Sequence, residues 1–180
     1  MTGPAKWIAP YCSSNLLTLL AMLTGIGVAI ALLCHQVILS LLLLAISGYL
    51  DSLDGTVARL RGNTQPIGAV FDIVADRVVE LSVIMGLFLS HPTQRAIVSF
   101  SMLGSVLICV TAFLVVGIFA DNDSAKGFFY SHGLMERAEA FIFFALMIIF
   151  PQAFQWLAWL FVVLVLYTAV MHIWRFYRYS

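Results

Sequence analysis

The chain has 180 residues, 62% of them hydrophobic and 10% charged. A soluble domain is about a quarter charged, so this composition excludes an ordinary water-soluble fold. Nine basic and nine acidic residues cancel, leaving no net field to draw in nucleic acid. Cys12, Cys34 and Cys109 are scattered, odd in number and without metal-ligand spacing. They read as small apolar residues and not as a disulfide framework.

The stretch before Asn15 mixes Lys6 with Trp7, Ile8, Pro10 and Tyr11, and residues 1–13 read as a segment lying along a membrane interface. Six apolar segments follow, at about 15–34, 36–60, 68–90, 94–119, 134–150 and 152–174. Their apolar residues run on without alternation, which is the membrane-helix signal. Each can cross a hydrocarbon core of about 30 Å, the fifth only just. The first is longer than a signal-peptide core and no small-x-small cleavage site follows it, so it reads as a retained span. The connectors Cys34–Gln36, Arg61–Pro66, His91–Gln94, Ala120–Gly133 and Pro151–Gln152 are short. They predict antiparallel neighbours in an all-α bundle of six transmembrane helices, one domain over 1–180 with no internal repeat.

With the N-terminus inside, the cytoplasmic ends hold Lys6, Arg59, Arg61, Arg77, Lys126, Arg137, Arg175 and Arg178, and the outer side holds Arg95 alone. Eight cations against one is a strong positive-inside bias, and it places both termini in the cytoplasm. His35, His91, His132 and His172 lack ligand spacing and read as interfacial polar residues. Trp174, Tyr177 and Tyr179 beside Arg175 and Arg178 form an interfacial anchor.

Against this background stand four aspartates. Asp51, Asp54, Gly55 and Ala58 fall at i, i+3, i+4 and i+7 of the second span, and Gly68, Asp72 and Asp76 at i, i+4 and i+8 of the third. Each set shares one helix face. A short turn joins the two spans, so the stripes can face each other at the cytoplasmic end. An unpaired carboxylate inside a membrane costs at least about 3 kcal/mol, so four of them call for cations. Hard oxygen ligands in one small volume suit one or two magnesium-like ions. Gly55, Ala58 and Gly68 leave a slot beside them, and Arg59 adds a donor for phosphate. Two other readings compete. Arg59, Arg61 and Arg77 could fix the fold through salt bridges, and intramembrane acids can mark a cation pathway. The acids cluster at one end, and no other span continues a path at mid-depth. Glu80 extends the third-span stripe by one turn and reads as hydrogen-bonding to a neighbouring helix.

The run Asp51-x2-Asp54-Gly55-x2-Ala58-Arg59-x8-Gly68-x3-Asp72-x3-Asp76 resembles the complete signature of the CDP-alcohol phosphotransferase family. Eight fixed positions over 26 residues are present, the eight-residue gap included. Ser14-Asn15-Leu16-Leu17-Thr18 is similar to the Pro-Asn-x-x-Thr opening of many members, with serine in place of proline. The resemblance implies an enzyme of phospholipid synthesis that moves a phosphatidyl group from CDP-diacylglycerol to an acceptor alcohol and releases CMP. It implies two divalent cations, Mg2+ or Mn2+, on Asp51, Asp54, Asp72 and Asp76, with Asp76 also the general base. Gly55, Ala58, Arg59 and Gly68 would line the cytidine-diphosphate slot, bordered by Asn15 and Thr18. It further implies a prokaryotic inner membrane with the active site on the cytoplasmic side. Many members are homodimers, although nothing in this chain specifies an interface.

The acceptor is read from the remaining cations. Gly133-Leu134-Met135-Glu136-Arg137 resembles the start of the fifth span in members that use inositol phosphate. Arg137, with Arg175, is the candidate for holding an acceptor phosphate of the inositol phosphate or glycerol 3-phosphate type. Two departures stand beside this. Ala140 replaces a second arginine after Glu139, and Phe113–Phe119 lacks the basic cluster at the end of the fourth span, for which Lys126 is the substitute. An amino-alcohol or serine acceptor is the alternative, and outside the enzymes a cation-binding or transport protein.

Overall fold

The computed structural model describes residues 12–61, 66–120, 135 and 137–179. Helix α1 spans Ser14–Leu33, α2 Val37–Arg61, α3 Pro66–Leu89, α4 Pro92–Ala120, α5 Arg137–Ile149 and α6 Phe154–Tyr179. A 3-10 turn, Pro151–Ala153, leads into α6. The interfacial segment before Cys12, the turn after Arg61 and the loop carrying Lys126 lie outside the described residues.

Local chemistry sets these boundaries. The Ser13 side chain caps α1 by accepting from the Leu16 amide at 3.3 Å, satisfying a donor the helix cannot use itself. α1 ends on His35 in the left-handed region, φ 56°. The Gln36 amide reaches back to the Ala31 carbonyl at 2.9 Å, so the chain reverses within three residues. Pro66 and Pro92 open α3 and α4, where a missing amide hydrogen costs nothing and the fixed φ suits a first turn.

Two compact units divide the chain, Met1–Pro92 and Thr93–Ser180. In the first, α1 packs against both α2 and α3. Leu17, Val28, Leu53, Val57, Val79 and Val83 are buried in it. The Ser47 hydroxyl of α2 donates to the Ala21 carbonyl of α1 at 2.8 Å. Two glycines set the α1–α3 distance. A Cβ on Gly25 would lie 2.6 Å from Val79 Cγ2, and one on Gly86 would lie 2.7 Å from the Ala29 Cα. Close backbone approach through small residues is the usual way apolar helices gain contact where lipid is as oily as leucine.

In the second unit α5 and α6 meet through Phe144 and Phe161, ring centroids 5.6 Å apart. The Arg95 guanidinium lies 4.1 Å from the Phe154 ring centroid, and Gln155 Nε2 donates to the Gln94 carbonyl at 2.5 Å. These contacts tie the first turn of α4 to the first turn of α6. Arg95 is 6% exposed, so its charge is covered by an aromatic face.

The expected six spans correspond to six helices among the described residues. Four helical stretches are long and apolar enough to cross a membrane: Ser14–Leu33, Val37–Leu60, Pro92–Phe119 and Pro151–Arg178. The other two fall short for different reasons. α3 carries Asp72, Asp76, Arg77 and Glu80 in one helix, and α5 has 13 residues, about 20 Å of rise. Ile38, Ile97 and Trp156 are more than three-quarters uncovered by protein, as lipid-facing side chains would be.

Candidate functional site

The end of the first unit that holds the C-terminal half of α2 and the N-terminal half of α3 gathers the acids. One carboxylate oxygen from each of Asp51, Asp72 and Asp76 lies within 4.8 Å of the other two. All three residues are half-buried. Ligands on opposite sides of a hard cation sit at twice a metal–oxygen distance of about 2.0–2.6 Å, so this spacing admits one divalent ion with little movement. The donor set is all oxygen, which suits magnesium or manganese over zinc or copper.

Asp54 is placed differently. It is buried at 4% exposure, and its Oδ2 takes the Thr18 hydroxyl of α1 at 2.6 Å. It stands beside the group of three and not among it. Leu17 and Leu53, the sequence neighbours of Thr18 and Asp54, form a buried apolar cluster with Val57, and the buried carboxylate is held by the threonine hydroxyl. Thr18→Val keeps the shape and removes that donor. Stability is expected to fall by about 1–3 kcal/mol, read as a lower melting temperature in detergent, with Thr18→Ser retaining most of it. A valine variant as stable as the wild type would show that Asp54 does not depend on Thr18.

The remaining sequence candidates of this unit border the acids. Gly68 is close to Asn15, whose Oδ1 lies 3.3 Å from where a Cβ would stand, so α1 and α3 approach there because the position is bare. Gly55 and Ala58 are half-buried. Arg59 is exposed; its Nη1 lies 3.7 Å from a Cβ placed on Gly55, and its Nη2 donates to Thr56 Oγ1 at 3.4 Å. It folds back toward the glycine.

Arg137 and Arg175 belong to the second unit, on α5 and α6, and both are half-buried. The Arg137 guanidinium lies 5.5 Å from the Phe141 ring centroid. Just before it, the Met135 amide donates to Thr168 Oγ1 at 3.0 Å, fastening the entry of α5 to α6. Gly133, Leu134 and Glu136 lie outside the described residues.

The pairing of two residues differs from the sequence expectation. Among the described residues, Glu80 pairs within its own helix where a neighbouring helix was expected. Its Oε2 lies 2.8 Å from Arg77 Nη1, an i,i+3 pair along α3 itself. Arg77 was available only as a general counter-cation; the i,i+3 spacing to Glu80 was the signal that could have paired them.

Helices apolar enough to cross a membrane and a three-carboxylate, oxygen-only cluster that could hold a cation define the class of membrane protein with a metal-competent acidic site. Comparison with known proteins makes this specific. The family model for CDP-alcohol phosphatidyltransferase matches residues 11–174. The phosphatidylinositol phosphate synthase of Corynebacterium glutamicum is 31% identical over 133 residues, 71% of this chain and 58% of that protein. The inner membrane protein YnjF of Escherichia coli is 30% identical over 145 residues, 77% of this chain and 70% of that one. The chain thus spans little more than half the length of the curated synthase. Crystal structures of the phosphatidylinositol phosphate synthase of Mycobacterium tuberculosis, one with CDP-DAG bound and one in complex with manganese and citrate, superpose with a TM-score of 0.76. They are 21% identical in sequence and cover 98% of this chain, which covers 92% and 89% of theirs. The chain belongs to the CDP-alcohol phosphatidyltransferase family.

Proposed function

We infer that this protein is a phospholipid-synthesising transferase, which moves the phosphatidyl group of CDP-diacylglycerol to the hydroxyl of a phosphorylated polyol and releases CMP. The meeting of Asp51, Asp72 and Asp76 within 4.8 Å, on the full eight-position signature of the family, carries this reading. The names of the relatives favour inositol phosphate as the acceptor.

In the reaction a bond forms between the acceptor oxygen and the phosphorus of the phosphatidyl group, and the bond from that phosphorus to the CMP oxygen breaks. Asp51, Asp72 and Asp76, with Asp54 beside them for a second ion, would hold divalent cations, which would supply positive charge to the diphosphate and the leaving CMP. Asp76 accepts the acceptor's proton. Gly55, Ala58 and Gly68 keep the helix faces low enough for the nucleotide. Arg59 and Asn15 donate to it, with Thr18 holding Asp54 alongside. Arg137 and Arg175 hold the acceptor's phosphate. A single domain of six spans with both termini in the cytoplasm accounts for the distribution of cations. It places the site on the cytoplasmic side of an inner membrane, where the lipid donor enters sideways from the bilayer.

The test is CMP release by purified protein in nanodiscs containing CDP-diacylglycerol, with Mg2+ or Mn2+ and one acceptor at a time: inositol 1-phosphate, glycerol 3-phosphate, inositol or serine. Release only with metal and inositol 1-phosphate is the expected result. Release with serine alone would move the acceptor to the amino-alcohol class. A folded protein that neither binds CDP-diacylglycerol nor releases CMP with any of these would overturn the transferase reading.

A further inference from the structure

Asp72, Asp76 and Glu80 fall at i, i+4 and i+8 on α3, so Glu80 continues the acid stripe one turn past the cluster. At 7% exposure it is covered by protein and is no solvated surface acid. Arg77 sits between two carboxylates. Its Nη1 lies 2.8 Å from Glu80 Oε2, while its Nη2 lies 4.0 Å from Asp76 Oδ2, at the outer edge of an ion pair. One guanidinium therefore has two anions within its reach and lies nearer the one farther along the chain; the approach is a charge contact, since Glu80 Oε2 makes no hydrogen bond among the described residues. Its Nε is buried and makes no hydrogen bond among the described residues, so the fork has donor capacity left over.

A guanidinium seated on Asp76 would occupy, in a charge-assisted pair, the oxygens that the cluster with Asp51 and Asp72 would offer a cation. We propose that Glu80 is a positioning residue that draws Arg77 down the helix and so keeps the Asp76 carboxylate for the divalent ion. The inference rests on the reading of Asp51, Asp72 and Asp76 as the cation site.

The experiment is titration of purified protein in detergent with Mn2+ alone, reading bound ion from the loss of the free Mn2+ electron paramagnetic resonance signal. Melting temperature in EDTA is recorded for each variant. Glu80→Gln releases Arg77 onto Asp76 and is expected to weaken Mn2+ binding about tenfold. Removing the competitor as well, in Arg77→Gln/Glu80→Gln, is expected to restore affinity to within about threefold of wild type. A side chain needed only for packing would not be rescued by a second loss of charge. Glu80→Asp, which keeps the charge on a shorter stem, should weaken Mn2+ in the Arg77 protein and have no effect when residue 77 is glutamine; this pair decides the matter if Glu80→Gln alone does not fold. Wild-type affinity in a folded Glu80→Gln protein, or a double variant as weak as the single, overturns the inference. Wild-type protein that binds no Mn2+ overturns the cation-site reading, and the role of Glu80 with it.

Discussion

Asp76→Asn is expected to lower metal-dependent CMP release by at least about 10³-fold, since one change removes both a proton acceptor and a cation ligand. The expected effect on stability has the opposite sign from that of most buried-charge substitutions. Oxygens of Asp51, Asp72 and Asp76 stand within 4.8 Å of one another, so in the absence of cation they repel. Asparagine keeps the shape and removes one negative charge from that group. In EDTA the variant should therefore melt at the wild-type temperature or above it. Added Mn2+ should then separate the two proteins. A ligand that binds only the folded state stabilises it by about 2.7 kcal/mol at a hundred times its dissociation constant. The wild type should rise by a corresponding margin and the variant should rise little. If the aspartates served only as a salt-bridge network, Asp76→Asn would lower the melting temperature in EDTA and Mn2+ would shift neither protein. Unchanged CMP release from a well-folded variant would remove Asp76 from the chemistry.

The acids could be found from spacing alone because a helix converts sequence offsets directly into faces. Asp51 with Asp54 and Asp72 with Asp76 had to project in pairs once the apolar runs around them were read as helices. The ends of those helices were nearly as legible, because Ser13, Pro66 and Pro92 carry local start signals that do not depend on the rest of the fold. What spacing could not supply was the division of labour among four equal carboxylates. Asp54 is set apart from the other three by Thr18, 36 residues away, and only the packing of α1 on α2 creates that contact. A stripe position does not say whether Glu80 meets a neighbouring helix or its own; Arg77 at i,i+3 lies near enough to pair with it. The glycines told a similar story. Gly55 and Gly68 drew notice for standing beside acids, whereas Gly25 and Gly86, inside featureless apolar runs, passed as ordinary. A glycine in a helix interior costs about 1 kcal/mol relative to alanine, and that cost was the available sign that a partner helix needed the space.

Gly86 carries the second large expected effect. Gly86→Leu should unfold the first unit or lower its stability by about 3 kcal/mol or more, beyond the usual range for overpacking, because the new side chain meets backbone. A Cβ there would lie 2.7 Å from the Ala29 Cα and 3.2 Å from the Ala29 Cβ. A flexible side chain could swing aside, but a helix axis cannot, so α1 and α3 must part along their length. Leucine is a better helix former than glycine and is at home in lipid, so neither propensity nor polarity can be blamed for the loss. Gly104→Leu is the matched control. No described residue lies within 4 Å of a Cβ at that position, and the same exchange should leave the melting temperature unchanged or raise it. The damage should also reach the cation site. Thr18 and Asn15 approach α2 and α3 from the opposite end of α1, so a helix levered away at Ala29 loosens Asp54 and the Gly68 contact together. Melting curves and Mn2+ titrations on the two variants check both claims. A Gly86→Leu protein that melts with the wild type and binds Mn2+ as well would mean that the α1–α3 contact does not set the geometry of the acids.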